Sequence, residues 1–197
     1  KPKDNRYVLQ FTTELWETPY IDKIELLVID HLEDIAIYVD ETFTPPPFKP
    51  FTIFNIKDKY LPIEAKDERG NNFLKDIKKL DKKYISNLTM DSFQGVTKFH
   101  DLILTFENLD GIDSLFLFLQ GWLFPTDASI NVNLSQSDSI GSIFPYLQVK
   151  DDTGNWKTVI ENIGFPKGKD KTMIIDMRDK FISNNYTIRI RTNMQIY

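Results

Sequence analysis

The chain has no cysteine among its 197 residues. Disulfides, thiolate metal shells and cysteine nucleophiles are therefore excluded. It has only two histidines, His31 and His100, far apart in the sequence. That argues against zinc, whose sites need three or four N, S or O ligands with at least one close pair. Phosphate-cradling loops are missing: neither GxGxxG nor GxxxxGK[ST] occurs. No apolar run reaches the ~18 residues of a membrane span. The longest, 115–124, is interrupted by Gln120 and Gly121 and has the length of a core strand. A positive charge balance is lacking as well, with a formal net charge of −5 and a pI of about 5.1. Nucleic acids and anionic membrane surfaces need a basic footprint, so neither is an expected partner.

Hydrophobic residues make up 41% of the chain and aromatic residues 13%, with 15 Phe and 8 Tyr. The first number supports a core, and the second favours strands, because flat and branched side chains suit a pleated surface. Period-two alternation recurs. Tyr7, Leu9 and Phe11 share one face, as do Ile24, Leu26 and Val28, then Ile35, Ile37 and Val39. Leu102, Leu104 and Phe106 repeat the pattern, and Ile188 and Ile190 alternate with Arg189 and Arg191. One wet face per strand is the mark of antiparallel sheets. "PYLQVKDDTGNWKTVIENI" predicts a hairpin turning at Gly154, and "LVIDHLEDIAIYVD" a second one. In "NNFLKDIKKLDKKYI", Phe73, Ile77, Leu80 and Tyr84 share a helical face opposite lysines. One short helix near 72–84 is expected, capped by Asn71 or Asn72, its lysines a solvated face.

"TFTPPPFKPF" reads as an extended linker or as a stiff connection over a sheet edge. The nearest thing to a boundary is "SNLTMDSFQGV". It would divide a β-rich N-terminal subdomain with one helix, 1–90, from a β-sandwich domain, 97–197, unless the two are one continuous domain. In "FLFLQGWLFPTDASINVNLSQS" the apolar half predicts a central strand, with Gly121 at a bulge or a close backbone approach and Pro125 ending the ladder. Ile130, Val132 and Leu134 then alternate with Asn131, Asn133 and Ser135, as in a second strand. The opening "KPKDNRY" carries no secretory leader, and "RTNMQIY" stops while still apolar. Both predict a piece of a larger protein.

Each candidate for chemistry has an ordinary explanation beside it. Asp30 precedes His31 and Asp101 follows His100, but no glycine-flanked serine accompanies either pair, so turn chemistry is the simpler reading. Glu14 and Glu17 flank Trp16, a composition that suits a glycan-acting hydrolase. In a strand, however, positions 14 and 17 face opposite sides. "GFPKGKDK" precedes a strand, so a loop is expected there. Oxygen donors gather at Asp127, Asn131 and Asn133 and again at Asp151, Asp152 and Asn155. Asp127, Asp151 and Asp152 are the calcium candidates, with Asx turns as the alternative. Sugar faces stack on exposed aromatics, which nominates Trp16, Trp122 and Trp156 with Asp127 as ligand-binding residues. Trp122 lies in an apolar run and suits the core, whereas Trp156 opens a hairpin strand beside a turn.

"HDLILTF", "LFLFLQGWLF", "YLQVKDDTGNWKTV" and "IRIRTN" together resemble the galactose-binding-like β-sandwich of many carbohydrate-binding and adhesion modules. "TELWETPYIDKIELLVIDH", "IYVDETFTPP" and "GWLFPTDASINV" are similar to β-rich regions of bacterial multidomain proteins that also carry FG-GAP propeller or tetratricopeptide repeats. The resemblance implies a mostly β, antiparallel sandwich of galactose-binding-like or jelly-roll type, with additional N-terminal strands. It also implies a non-catalytic accessory module of an exported protein in the periplasm, on the cell surface or secreted. No cofactor is expected beyond a structural calcium. The expected ligand is a glycan or a neighbouring domain of the same polypeptide. The alternatives are a hydrolase using carboxylates near Trp16, or a scaffold docked on a propeller or repeat domain.

Overall fold

The computed structural model of the protein describes residues 4, 6–12 and 18–197. The chain divides into two units, Lys1–Leu32 and Glu33–Tyr197. In the first, the described residues form no helix and no strand. The alternating residues expected there as strands, Tyr7, Leu9, Phe11, Ile24, Leu26 and Val28, are exposed. Alternation alone does not make a strand, because a neighbour must take up its backbone N–H and C=O groups.

The second unit is mostly antiparallel β. Its elements are β1 (Ala36–Val39), β2 (Thr42–Phe43), β3 (Ile53–Ile56), β4 (Glu64–Lys66), α1 (Leu74–Ile77) and β5 (Val96–Thr105). Then come β6 (Phe116–Gly121), α2 (Ala128–Ser135), β7 (Tyr146–Lys150), β8 (Trp156–Ile160), β9 (Phe165–Pro166), β10 (Lys171–Asp176) and β11 (Thr187–Met194). A five-stranded sheet runs in the order β4–β5–β11–β7–β8. Three two-stranded pairs accompany it: β1 with β3, β6 with β10, and β2 with β9. Strand β4 comes from before residue 90 and β5 from after it, and the two are hydrogen-bonded neighbours. Residues 90–97 sit inside the second unit.

The alternation at 102–106 and 188–190 sets the register. Leu104 faces Ile188 and Leu102 faces Ile190 across β5 and β11. The core gathers Ala65, Leu104, Leu147 and Ile188 from the sheet with Leu117 and Met173 from the β6–β10 pair. The hairpin β7–β8 forms as its sequence predicts, with Gly154 at φ 82°. The other expected hairpin does not form. β1 pairs instead with β3 across the proline-rich segment, which is a connection within the second unit.

Two further expectations are corrected. The helix expected over 72–84 is a single turn, with Asn72 Oδ1 accepting from Leu74 N–H at 2.9 Å. Asp81 Oδ1 then accepts from Lys83 N–H at 3.2 Å, and Lys82 takes a left-handed φ of 63°. That local turn is incompatible with a continuing helix. Conversely, the segment after Pro125 is helix α2 and not a second strand. Ile130 and Leu134, four apart, are its half-buried positions, while Val132 is exposed. Gly121 is a close approach as expected: a Cβ there would lie 2.9 Å from the Tyr197 carbonyl oxygen.

Candidate functional site

The sheet has two differently built faces. On the outer face, side chains from neighbouring strands form a polar and aromatic ladder. Arg189 Nε donates to Gln148 Oε1 at 2.7 Å, and Gln148 Nε2 donates to Thr158 Oγ1 at 3.0 Å. Asp101, almost fully buried, lies 3.6 Å from Arg189 and 3.4 Å from Arg191. Burial pushes the Asp101 carboxyl upward, against the pull of the two arginines. Its second oxygen has no hydrogen-bond partner. Trp156 belongs to this face, with the Arg189 guanidinium 4.5 Å and the Lys150 ammonium 5.3 Å from its ring centroid. Its π system is therefore engaged by cations and is a poor open platform for a sugar.

The other tryptophans are placed differently. Trp122 stacks on Tyr197 at 5.2 Å, with Phe124 at 5.8 Å, Tyr84 at 6.3 Å and the Lys169 ammonium at 5.2 Å. It anchors an aromatic cluster, the ordinary reading for a tryptophan in an apolar run. Trp16, with Glu14 and Glu17, lies outside the described residues.

The candidate calcium ligands do local work. Asp127 is the N-cap of α2, accepting from Ile130 N–H at 2.9 Å and from Ser129 Oγ at 2.6 Å. Asp151 spans its own turn, accepting from Thr153 N–H at 3.0 Å and Asn155 N–H at 2.9 Å. Hydrogen bonds from Ser129 and Thr153, respectively, hold both carboxyls below the usual aspartate range. Asp152 is exposed beside that turn. Among the described residues, no three His, Asp or Glu side chains converge as a metal shell. Asp127→Ala is expected to reduce helical circular dichroism and lower the melting temperature slightly, because the cap is lost. Millimolar calcium should leave both proteins' melting curves unmoved, and a calcium-dependent rise abolished by Asp127→Ala would restore the ion reading.

His100 faces inward. Its Nδ1 sits 3.0 Å from Thr97 Oγ1 and 3.4 Å from the Lys98 carbonyl oxygen, and burial holds its pKa low. Asp101, next in sequence, points to the opposite face with the arginines, so no Asp–His relay forms. His31 is exposed, and its Nδ1 lies 2.9 Å from the Leu32 carbonyl oxygen.

The inner side of the sheet holds a cavity of about 980 Å³. Leu102, Leu104 and Ile190 line it from the sheet, and Leu117, Leu119 and Met173 line it from β6 and β10. Leu104 and Leu117 are buried, but Leu102 and Ile190 are only half-buried although β5 and β11 are interior strands, and Leu119 on β6 is half-buried as well. An inward side chain on an interior strand stays half-buried when open space, and not another side chain, lies over it. Exposed segments border the space: Tyr60 and Leu61 on one, Leu80 and the lysines around it on the other. Sequence reading assigned those lysines to solvent and missed the cavity. The available signal was Ile77, Leu80 and Tyr84, an apolar stripe too long for the single helical turn that carries its start.

No protein-family model, curated protein or solved structure matches this chain.

Proposed function

We propose that the protein is a non-catalytic binding module that takes an apolar ligand into the cavity between the five-stranded sheet and the β6–β10 pair. The carrying observation is the cavity itself. At about 980 Å³ it lies at the upper end of the roughly 300–1,000 Å³ usual for ligand sites, and its walls are mainly apolar, aliphatic side chains with Phe and Tyr rings among them. Core side chains from two β layers also support a galactose-binding-like sandwich, of the kind that accompanies repeats in exported bacterial proteins. A glycan is the less favoured occupant. Walls that are mainly apolar offer a sugar few hydrogen bonds, and the rings of Trp122 and Trp156 are engaged. The hydrolase alternative rests on Glu14 and Glu17, outside the described residues.

The reading is tested by titration with N-phenyl-1-naphthylamine, a neutral dye that brightens in apolar surroundings. Saturable uptake at one site is expected. Leu102→Trp, which places a larger ring in the space, should cut uptake at least tenfold while the melting temperature holds or rises, since filling a void restores lost contacts. No uptake by the unaltered chain would sink the proposal.

A second reading, docking on a neighbouring domain, is favoured by the first unit. Tyr20 is 95% and Val28 80% exposed there, with Leu26, Leu27 and Leu32 also open to solvent. Clustered exposure of this kind marks a surface that a partner covers. Leu26→Glu with Val28→Glu should abolish self-association in sedimentation velocity or capture by the adjoining domain, and unchanged association would remove this reading.

A further inference from the structure

We infer that the cavity ligand is an anionic single-chain amphiphile, such as a long-chain fatty acid, with its acyl chain along the apolar walls and its carboxylate at a lysine rim. The inference rests on the cavity being a ligand site, as proposed above, and adds the chemical class of the ligand.

The charge around the opening carries it. Lys57, Lys59, Lys78, Lys79, Lys82 and Lys83 border the cavity, against Asp58, Asp76 and Asp81 on the same two segments. These segments are net positive in a chain whose net charge is −5. Three of the lysines are engaged: Lys57 lies 3.7 Å from Asp34, Lys83 lies 3.9 Å from Asp81, and the Lys59 ammonium sits 5.5 Å from the Tyr38 ring centroid. Lys78, Lys79 and Lys82 have no ion-pair partner among the described residues and are exposed. Free ammonium groups beside an apolar space suit a carboxylate held at the water boundary.

The interior fixes the orientation. Its inward polar groups include His100 and Thr192. Burial keeps His100 uncharged at neutral pH, and Thr192 Oγ1 already donates to the Ile143 carbonyl at 2.7 Å. Asp101 borders the space but is turned to its two arginines. Neither His100 nor Thr192 supplies an opposite charge, so a charged head stays at the rim while the chain goes in. A cationic head would meet the lysines and be repelled. A neutral head would gain nothing from them. A two-chain phospholipid held in a bilayer is a different source of acyl chains, and the commitment here is to the free, single-chain acid.

The test displaces N-phenyl-1-naphthylamine from the full chain with palmitate, hexadecan-1-ol or hexadecylamine, each below its aggregation limit. Palmitate is expected to displace the dye at a concentration at least tenfold lower than either competitor, a difference of about 1.4 kcal/mol. In the triple variant Lys78→Gln/Lys79→Gln/Lys82→Gln that advantage should shrink below threefold. It should shrink similarly for the unaltered chain in 0.5 M NaCl, because exposed charges are screened. The dye's own uptake reports whether the cavity is intact in the variant. Equal displacement by all three competitors, or an advantage that survives the triple variant, overturns the anionic class and leaves the binding module standing. Absence of dye uptake by the unaltered chain overturns both. Co-flotation with anionic phospholipid vesicles without displacement by palmitate overturns the single-chain source.

Discussion

Asp40→Ala is expected to lower the stability of the Glu33–Tyr197 unit by about 3 kcal/mol, a fall in melting temperature of roughly 6–12 °C at this size. The carboxylate ties three stretches of chain together. Oδ1 accepts from Thr42 N–H at 3.0 Å, from the Thr42 hydroxyl, and from Ile174 N–H at 3.2 Å on β10. Oδ2 takes the Lys49 ammonium at 2.9 Å, and that lysine also donates to the Ile174 carbonyl at 3.0 Å. The Asp40 side chain is 7% exposed, so water cannot replace these bonds once it is truncated. Asp40→Asn keeps the shape but turns an NH₂ or a neutral oxygen toward Lys49, and should cost less than the alanine. Burial alone would raise the Asp40 pKa, but it is outweighed by the bonds from Thr42 and Lys49, which leave the carboxyl below its ordinary value. A depressed carboxyl stabilises the fold fully above the unfolded pKa of about 3.9 and loses that contribution as pH falls through the folded value. Urea denaturation should therefore show a gap between the unaltered chain and Asp40→Asn that is full at pH 7 and narrows below about pH 4. A gap of the same size at pH 3 would show that the charge on Asp40 is not what stabilises.

Much of the sheet was legible because its strands are amphipathic and local. The hairpin from Tyr146 to Ile160 needs only its own alternation and Gly154 to form. The strands at 102–106 and 187–191 show their inward and outward faces directly in the sequence. Partner choice was not legible. "IAIYV" has the same alternation whether it pairs with the segment before it or, as found, with Ile53–Ile56 beyond the prolines. The reading of "ASINVNLS" failed because Ile130, Val132 and Leu134 fit period two, while Ile130 and Leu134 alone also fit a helical face. Asp127, the residue that decides between them by capping the helix, was read as a possible ligand. The candidate site was hidden for a different reason. A cavity is a statement about how well two layers fill the space between them. Leu102, Leu119 and Ile190 are ordinary core residues in sequence, and only their half-burial on the folded strands shows that the space over them is open. The Asp101–Arg189–Arg191 cluster lay in "HDL" and "RIR", but joining those segments required the β5–β11 register.

Gly164→Ala should be the most damaging glycine substitution in the chain, at about 4 kcal/mol. That figure combines about 1–2 kcal/mol for forcing a side chain into left-handed backbone with about 1–3 kcal/mol for overpacking. Gly164 has φ +77° and is buried just before β9. A Cβ there would sit 2.3 Å from the Phe43 carbonyl oxygen and 2.5 Å from Thr42 Cγ2. The first of these is backbone and cannot swing aside. Relief requires β2 to move away from β9, which breaks the Thr42–Pro166 and Phe43–Phe165 register and unstacks Phe43 from Phe165, now 4.9 Å apart. It would also disturb Thr42, 2% exposed and bonded to Asp40, so the damage reaches the same junction that the carboxylate holds. Gly141→Ala is the control, since its Cβ meets nothing within 4 Å and its φ is not left-handed. Melting curves should show a drop of roughly 8–16 °C for Gly164→Ala and no loss for Gly141→Ala. If both substitutions proved equally mild, β2 would not be held against β9 as described, and the junction around Asp40 would have to be redrawn with it.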